Sequence, residues 1–238
     1  ERLLPKATMV VEMVEELKSE AESHSATPIG TLNISAPSRI SQLFSPLFSE
    51  FMQKFPGIRF VIDSSSRYKD LTATRSDFAF RLGPLNDSSI VAIPLAKVKY
   101  LLVASRKFIV EGGTISHPKE LRNRPCIRNQ IEGLLLPWRF SVGGEPFELD
   151  SDYVVLSDDL SVSTQLAVNG AGFAYLPIEL VKKYIDRGEL ISVGEQWLPP
   201  SRDLYLVYSD RKNLPSKSKQ FIEFVKSNRS VIEAILLG

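Results

Sequence analysis

The stretch Gly30 to Ser66, GTLNISAPSRISQLFSPLFSEFMQKFPGIRFVIDSSS, constrains the fold more than any other part of the chain. Leu32, Ile34 and Ala36 alternate with Asn33 and Ser35, the period of a strand with two unlike faces. From Ile40 the spacing changes. Leu43, Phe44, Leu47, Phe48, Phe51 and Phe55 recur at helical intervals as one apolar stripe, and Pro56-Gly57 ends it. Ile58 to Ile62 then read as a mostly apolar strand suited to a buried parallel sheet. This strand–helix–strand order puts Ser38, Arg39 and Ser41 at the helix N-terminus, beyond the carboxyl end of the first strand. Open α/β sheets bind ligands there, because bare N–H groups and the positive dipole end point outward. Hydroxyls that donate and accept, beside a guanidinium fork, suit a small anion or polar group. The same serines can instead only satisfy the helix terminus. Ser64-Ser65-Ser66 borders the same cleft or forms a simple polar turn.

Residues 1–23 carry Leu3, Ala7, Val10, Val14, Leu17 and Ala21 every three or four positions, an a/d pattern. Such a helix pairs with a partner or docks on its own domain. His24 to Pro28 is a polar linker. A short helix is expected from Tyr68 to Arg75, a strand from Asp77 to Leu82, and a turn from Asn86 to Ser89. Two strands follow, Ile90 to Leu95 and Val98 to Ala104, with Pro94 marking an edge or a bend.

Glu111-Gly112-Gly113 then reads as a flexible turn, and His117-Pro118 as a helix start. Strands are expected at Cys126 to Gln130, Tyr153 to Leu156, Phe173 to Leu176, Leu190 to Val193 and Leu204 to Tyr208. Trp138 to Val142 and Glu145 to Leu149 flank Gly143-Gly144 as a hairpin. Ser157 or Asp158 can cap the helix that carries Leu160, Val162, Leu166 and Ala167. Pro177 opens a further helix that Gly188 closes, and Ser216 starts a last one. Each half has its own strands, caps and apolar faces, so two α/β units fit better than one.

The chain of 238 residues allows one large domain or two of modest size. A net charge of +1 gives no long-range pull toward nucleic acid. Cys126 stands alone, which excludes an internal disulfide and a cysteine-based zinc site. It reads as packing rather than as a redox sensor. No run of apolar residues is long enough to span a membrane as a helix, and the first residues do not form a signal peptide.

Catalysis finds no support. His24 and His117 lack a serine, cysteine or aspartate at a recognisable spacing, and no phosphate-binding, zinc-protease or nucleophile-elbow motif occurs. No metal ligand set, cofactor or catalytic residue is therefore expected. Asp158-Asp159 reads as a cap rather than an acid–base pair. Arg81 lies in an apolar strand, so it points to solvent, pairs with an acid, or faces a polar cavity.

The segments Gly30 to Pro37, Leu43, Pro46-Leu47, Phe51 and Phe55 to Ile58 together resemble the start of the effector-binding domain of LysR-type transcriptional regulators. Asp77 to Leu85 and Asp87 to Ile90 resemble the subgroup of CrgA-like regulators. Leu101 to Ser105, Trp138-Arg139-Phe140, Ala167 to Pro177 and Leu204 to Tyr208 follow in the family's order. The likeness covers Gly30 to about Phe224.

It implies two Rossmann-like subdomains similar to type 2 periplasmic binding proteins, with an effector cleft between them. Residues 1–27 would be part of a linker helix for dimerisation, 28–102 with 204–238 the first subdomain, and 103–203 the second. Positions matching Ser38, Ser65, Arg81 to Gly83, Asn129 and Asp158 to Leu160 contact effector in the family. Arg39 and Ile40 beside Ser38 complete the expected site. The resemblance also implies a small-molecule effector, a homodimer or homotetramer, and a cytoplasmic location. A winged helix-turn-helix preceding Glu1 would read DNA, with RNA polymerase among the partners. A solute-binding protein of a transport system would share the fold.

Overall fold

The computed structural model describes residues 28–64, 76–85, 90–131, 133–149, 151–197, 201–209 and 214–237. The expected helices at 1–23 and 68–75, the linker at His24, the turn at 86–89 and the Pro199-Pro200 break lie outside them.

Two sheets carry the architecture. The first has the order β2-β1-β3-β13-β4, built from β1 (Gly30–Ser35), β2 (Ile58–Asp63), β3 (Phe78–Leu82), β4 (Ile90–Val98) and β13 (Arg202–Ser209). Strand β1 runs parallel to β2 and β3, whereas β13 returns antiparallel between β3 and β4. The second sheet has the order β10-β6-β11-β5-β12: β5 (Tyr100–Ser105), β6 (Cys126–Ile131), β10 (Val155–Ser157), β11 (Phe173–Pro177) and β12 (Leu190–Ser192). A short β7 (Leu134–Leu135) pairs with β6, and β8 (Trp138–Val142) with β9 (Glu145–Leu149) forms a separate hairpin. Gly143 and Gly144 turn that hairpin at φ 61° and 88°, a left-handed pair that suits glycine.

The apolar stripe after β1 folds as two helices rather than the single one expected, α1 (Ser38–Leu43) and α2 (Ser45–Lys54). Pro46 has no N–H to give the Gln42 carbonyl. The Ser45 hydroxyl donates to that carbonyl instead, at 2.8 Å. Phe44 stays buried at the joint, so the stripe survives the break.

Phenylalanine dominates this core. Phe44 meets Phe80 at 5.2 Å between centroids, Phe78 meets Phe221 at 4.9 Å, and Phe51 meets both Phe221 and Phe224. Phe221 and Phe224 come from the C-terminal helix Ser216–Ser227, which a further helix, Arg229–Ile235, follows. Burying each such ring is worth about 2–3 kcal/mol.

Strand β2 departs from expectation. It is the edge of its sheet, and Val61 and Ile62 are 56% and 40% exposed. Its apolar composition reads as burial only until its place in the sheet is known. Pro94 does mark both an edge and an irregularity: β4 is the other edge, and the register to β13 slips beside it, between Leu204 and Tyr205.

The second sheet buries Val103, Ile127, Ala174 and Leu176 against α4 (Leu160–Val168) and α5 (Ile178–Asp186). The preceding helix, α3 (Arg106–Gly112), runs where only a turn at Glu111 to Gly113 was expected. It has no buried residue and hence no stripe to read. The start at His117-Pro118 is a 3-10 helix, Pro118–Asn123, with the His117 side chain accepting from the Lys119 N–H at 3.0 Å.

Asp159, rather than Ser157 or Asp158, caps α4: its carboxylate accepts from the Ser161 and Val162 N–H groups at 2.7 and 3.4 Å. A side chain on Gly172 would collide with the Pro125 carbonyl, where Phe173 donates to Pro125 and β11 meets β6. No helix among the described residues is long and apolar enough to cross a membrane.

Candidate functional site

Strands β1 and β3 of the first sheet and β6 and β10 of the second, parallel within each sheet, end at one cleft of about 800 Å³. From the first sheet come Pro37, Ser38, Arg39 and Gln42 after β1, and Leu82, Gly83 and Pro84 at the end of β3. From the second come Asn129 to Ile131 at the end of β6, and Asp158 to Ser161 after β10. Carboxyl ends of parallel strands are the ligand side of open α/β sheets, and here both lobes present theirs to the same space. The wall where the chain crosses between lobes is aromatic and cationic: Tyr100, Tyr175, Tyr205 and Arg202. Trp138 and Arg139 of the hairpin close a further side.

Most polar groups of the second lobe are already engaged. Arg128 is 1% exposed; it donates to the Ser151 carbonyl and hydroxyl at 3.0 and 2.7 Å and to the Leu136 carbonyl at 3.0 Å. Its guanidinium lies 5.0 Å from the Trp138 ring, so it fixes that wall. Asn129 donates from Nδ2 to the Ser163 hydroxyl at 2.7 Å and to the Ser157 carbonyl at 3.4 Å. Ser163 in turn donates to the Asp159 carbonyl at 3.2 Å. Both neighbours of that amide are thus acceptors, which fixes its orientation and leaves Oδ1 buried without a partner. Arg139 is held by Glu148 at 2.9 Å.

The first lobe is less committed. Arg39 reaches Gln42 at 3.5 Å, and its Nε is buried with no partner. Beside it stands Glu179 at the start of α5, with Oε2 buried and also unpartnered. Burial pushes the Glu179 carboxyl up to about 7, with the Arg39 charge pulling the other way. Burial likewise raises the Tyr175 phenol, which donates to the Arg139 carbonyl at 3.3 Å.

The expected site residues separate. Ser38, Arg39, Gly83, Asn129, Asp158 and Leu160 line the cleft. Ile40 does not: it is 3% exposed and belongs to the apolar core under α1. Arg81 is also buried behind the cleft, where it donates to the Ser35 hydroxyl at 3.2 Å and to the Phe80 carbonyl at 3.3 Å. Ser65 lies outside the described residues. Ser41 accepts from the Ser64 hydroxyl at 3.0 Å, so these two serve each other away from the cleft lining.

Cys126 is fully buried, and burial raises its thiol to about 11, which suits packing rather than reactivity. Sequence reading missed Tyr100, Trp138, Tyr175 and Arg202 as cleft residues. Their only signal is aromatic or cationic character, at a strand start for Tyr100, Trp138 and Arg202 and mid-strand for Tyr175, and the fold alone brings them together.

Among the described residues no group of histidine, cysteine and acidic side chains could hold a metal ion. The cleft offers shape, rings, guanidinium groups and one orphan acceptor, a constellation for holding a molecule.

A sequence model described as the LysR substrate binding domain matches residues 25–230. The HTH-type transcriptional regulator CrgA of Neisseria meningitidis is 28% identical over 83% of this chain and 67% of its own length. An uncharacterized HTH-type regulator of Escherichia coli, YcaN, is 24% identical over 96% of this chain and 74% of its own. Among solved structures, the full-length Vibrio cholerae virulence activator AphB, a member of the LTTR family, superposes with a TM-score of 0.78 at 27% identity. It covers 95% of this chain and 78% of AphB. The CrgA regulatory domain gives 0.70 at 25% identity, covering 84% of this chain and 99% of that one. The two-lobed, periplasmic-binding-protein-like fold and the match over most of its length together place the chain in the LysR substrate-binding-domain family of transcriptional regulators.

Proposed function

We propose that the chain is the effector-sensing part of a LysR-type transcriptional regulator and that the cleft between the lobes binds a small molecule. The observation that carries this reading is convergence: uncommitted polar atoms from each lobe, Arg39 Nε and Asn129 Oδ1, are both on residues of one cleft. Buried polar atoms without partners are rare in folded proteins, and a ligand spanning the lobes would satisfy both.

We take residues 28–102 with 204–238 as the first lobe and 103–203 as the second, a division supported by the change from the first sheet to the second between β4 and β5 and back at β13. A ligand that prefers one arrangement of the lobes shifts their populations. Contacts in a homodimer or homotetramer and a linker helix over residues 1–27 would carry that shift to a winged helix-turn-helix reading DNA, and from there to RNA polymerase. That the relatives are HTH-type regulators supports this reading over a solute-binding role in transport.

The test is a metabolite panel read by thermal shift on the wild type and on Ser38→Trp, which fills the cleft at an exposed position. A cleft ligand raises the melting temperature of the wild type in a dose-dependent way and leaves the variant unmoved. Equal shifts in both overturn the assignment.

A further inference from the structure

Three features of the cleft read as a chemical description of its ligand. The first is a continuous aromatic wall. Trp138, Tyr175 and Tyr100 follow one another as tilted neighbours, with centroids 6.0 Å apart at 55° for the first pair and 5.2 Å at 36° for the second, and all three line the cleft. Rings presented side by side favour a flat, polarisable guest over an aliphatic one.

The second is unspent positive charge. Arg202 lies over the Tyr100 ring at 4.7 Å, and among the described residues no carboxylate pairs with it or with Arg39 within 4 Å, although the Glu179 carboxyl feels the Arg39 charge from farther off. Arg139, by contrast, already has Glu148, and the Asp159 carboxylate is spent on the start of α4. A guanidinium in a partly dry cleft takes a carboxylate through paired hydrogen bonds.

The third is the orphan acceptor. Asn129 is 4% exposed, both protons of its amide face acceptors, and Oδ1 is left without a donor. A buried acceptor in that state discriminates against any guest lacking an N–H or O–H to offer. Asp158 and Asp203 also line the cleft, which further favours a donor at the end of the guest away from its anionic group.

From these together we infer that the cleft takes a compact aromatic carboxylic acid bearing an amino or hydroxyl substituent. The ring lies on the Trp138–Tyr175–Tyr100 wall, the carboxylate meets Arg202 and Arg39, and the substituent donates to Asn129 Oδ1. The inference rests on the cleft being the sensing site and adds the class of molecule sensed. Each group on the guest answers one feature of the cleft, so removing them one at a time separates the contributions.

The experiment is calorimetric titration of the 238-residue chain with 3- and 4-aminobenzoate, with tryptophan emission, to which Trp138 and Trp197 both contribute, as a second readout. Three controls each delete one feature: benzoate lacks the donor, cyclohexanecarboxylate lacks the ring, and aminobenzamide lacks the charge. Each control is expected to bind at least tenfold more weakly than the better aminobenzoate. Arg202→Gln is expected to erase the difference between acid and amide while leaving the gap between ring and cyclohexane. Equal affinity across the series, or no binding by any aromatic acid at millimolar concentration, overturns the inference. An aliphatic or phosphorylated compound that stabilises the wild type but not Ser38→Trp also overturns it, while leaving the cleft as the sensing site. A panel in which no compound distinguishes those two proteins defeats the underlying reading instead.

Discussion

The two lobes are built on the same topological idea and filled with different chemistry. Under the first sheet, Phe44, Phe51, Phe78, Phe80 and Phe221 pack ring against ring, and the buried Arg81 beside them donates to the buried Ser35 hydroxyl. The second lobe buries Arg128, Asn129, Ser163 and Thr164 within a few residues of its cleft face. A cluster of packed rings takes its stability mainly from area and is sensitive to any loss of volume. A core with hydrogen-bonded polar groups gives up some of that stability and fixes the direction of particular atoms. The first lobe therefore reads as the anchor, and the second as the part that shapes the cleft wall.

The contrast yields graded expectations. Phe51→Ala opens a hole at the meeting point of α2 and the C-terminal helix and should cost about 3–5 kcal/mol in chemical denaturation. A loss under about 1 kcal/mol would mean the ring cluster is not the anchor. Arg128→Leu strands the Ser151 and Leu136 carbonyls and frees Trp138. It should cost about 2–3 kcal/mol and shift tryptophan emission. If stability falls while emission stays put, the second lobe's polar core does not shape the wall.

Glu179 provides the smallest and most conditional effect. Its carboxyl sits at about 7 in the folded chain against an ordinary 4.5, so the folded state holds that proton more tightly than the unfolded state. The stability this brings is complete at acid pH and is lost as pH rises through about 7. Glu179→Gln should thus leave stability near pH 4 unchanged and raise it by roughly 2 kcal/mol at pH 8. Denaturation at the two pH values checks it, and a variant less stable at pH 8 would mean that the attraction to Arg39 outweighs burial.

Much of the scaffold is legible in the order of residues, because short-range rules fix it. The alternation of Leu32, Ile34 and Ala36, the stripe through Phe51 and the Gly143-Gly144 turn each act within a few positions. What escapes depends on distant partners. Edge or centre is a property of the sheet, so β2 misleads by composition. The broken stripe at Phe44 needed weight on Pro46, whose missing N–H is a local fact that the continuous stripe conceals.

The cleft divides in the same way. Ser38, Asn129 and Asp158 follow strands and can be found by the carboxyl-end rule, but Tyr100 and Arg202 meet only because two crossings lie side by side. Arg81 has the composition of a site residue and the position of a strut, and no linear pattern separates the two.

That meeting of Tyr100 and Arg202 has a mechanical side. One residue begins the outbound connection and the other begins the return, and the cation rests 4.7 Å from the ring centroid. A flat cation on a flat ring slides and swivels at little cost, whereas a directional hydrogen bond at the same spot would lock. The cation–ring contact therefore sets no fixed orientation of its own at the crossing, where the pairing of Arg202 with Val98 supplies the directional hold.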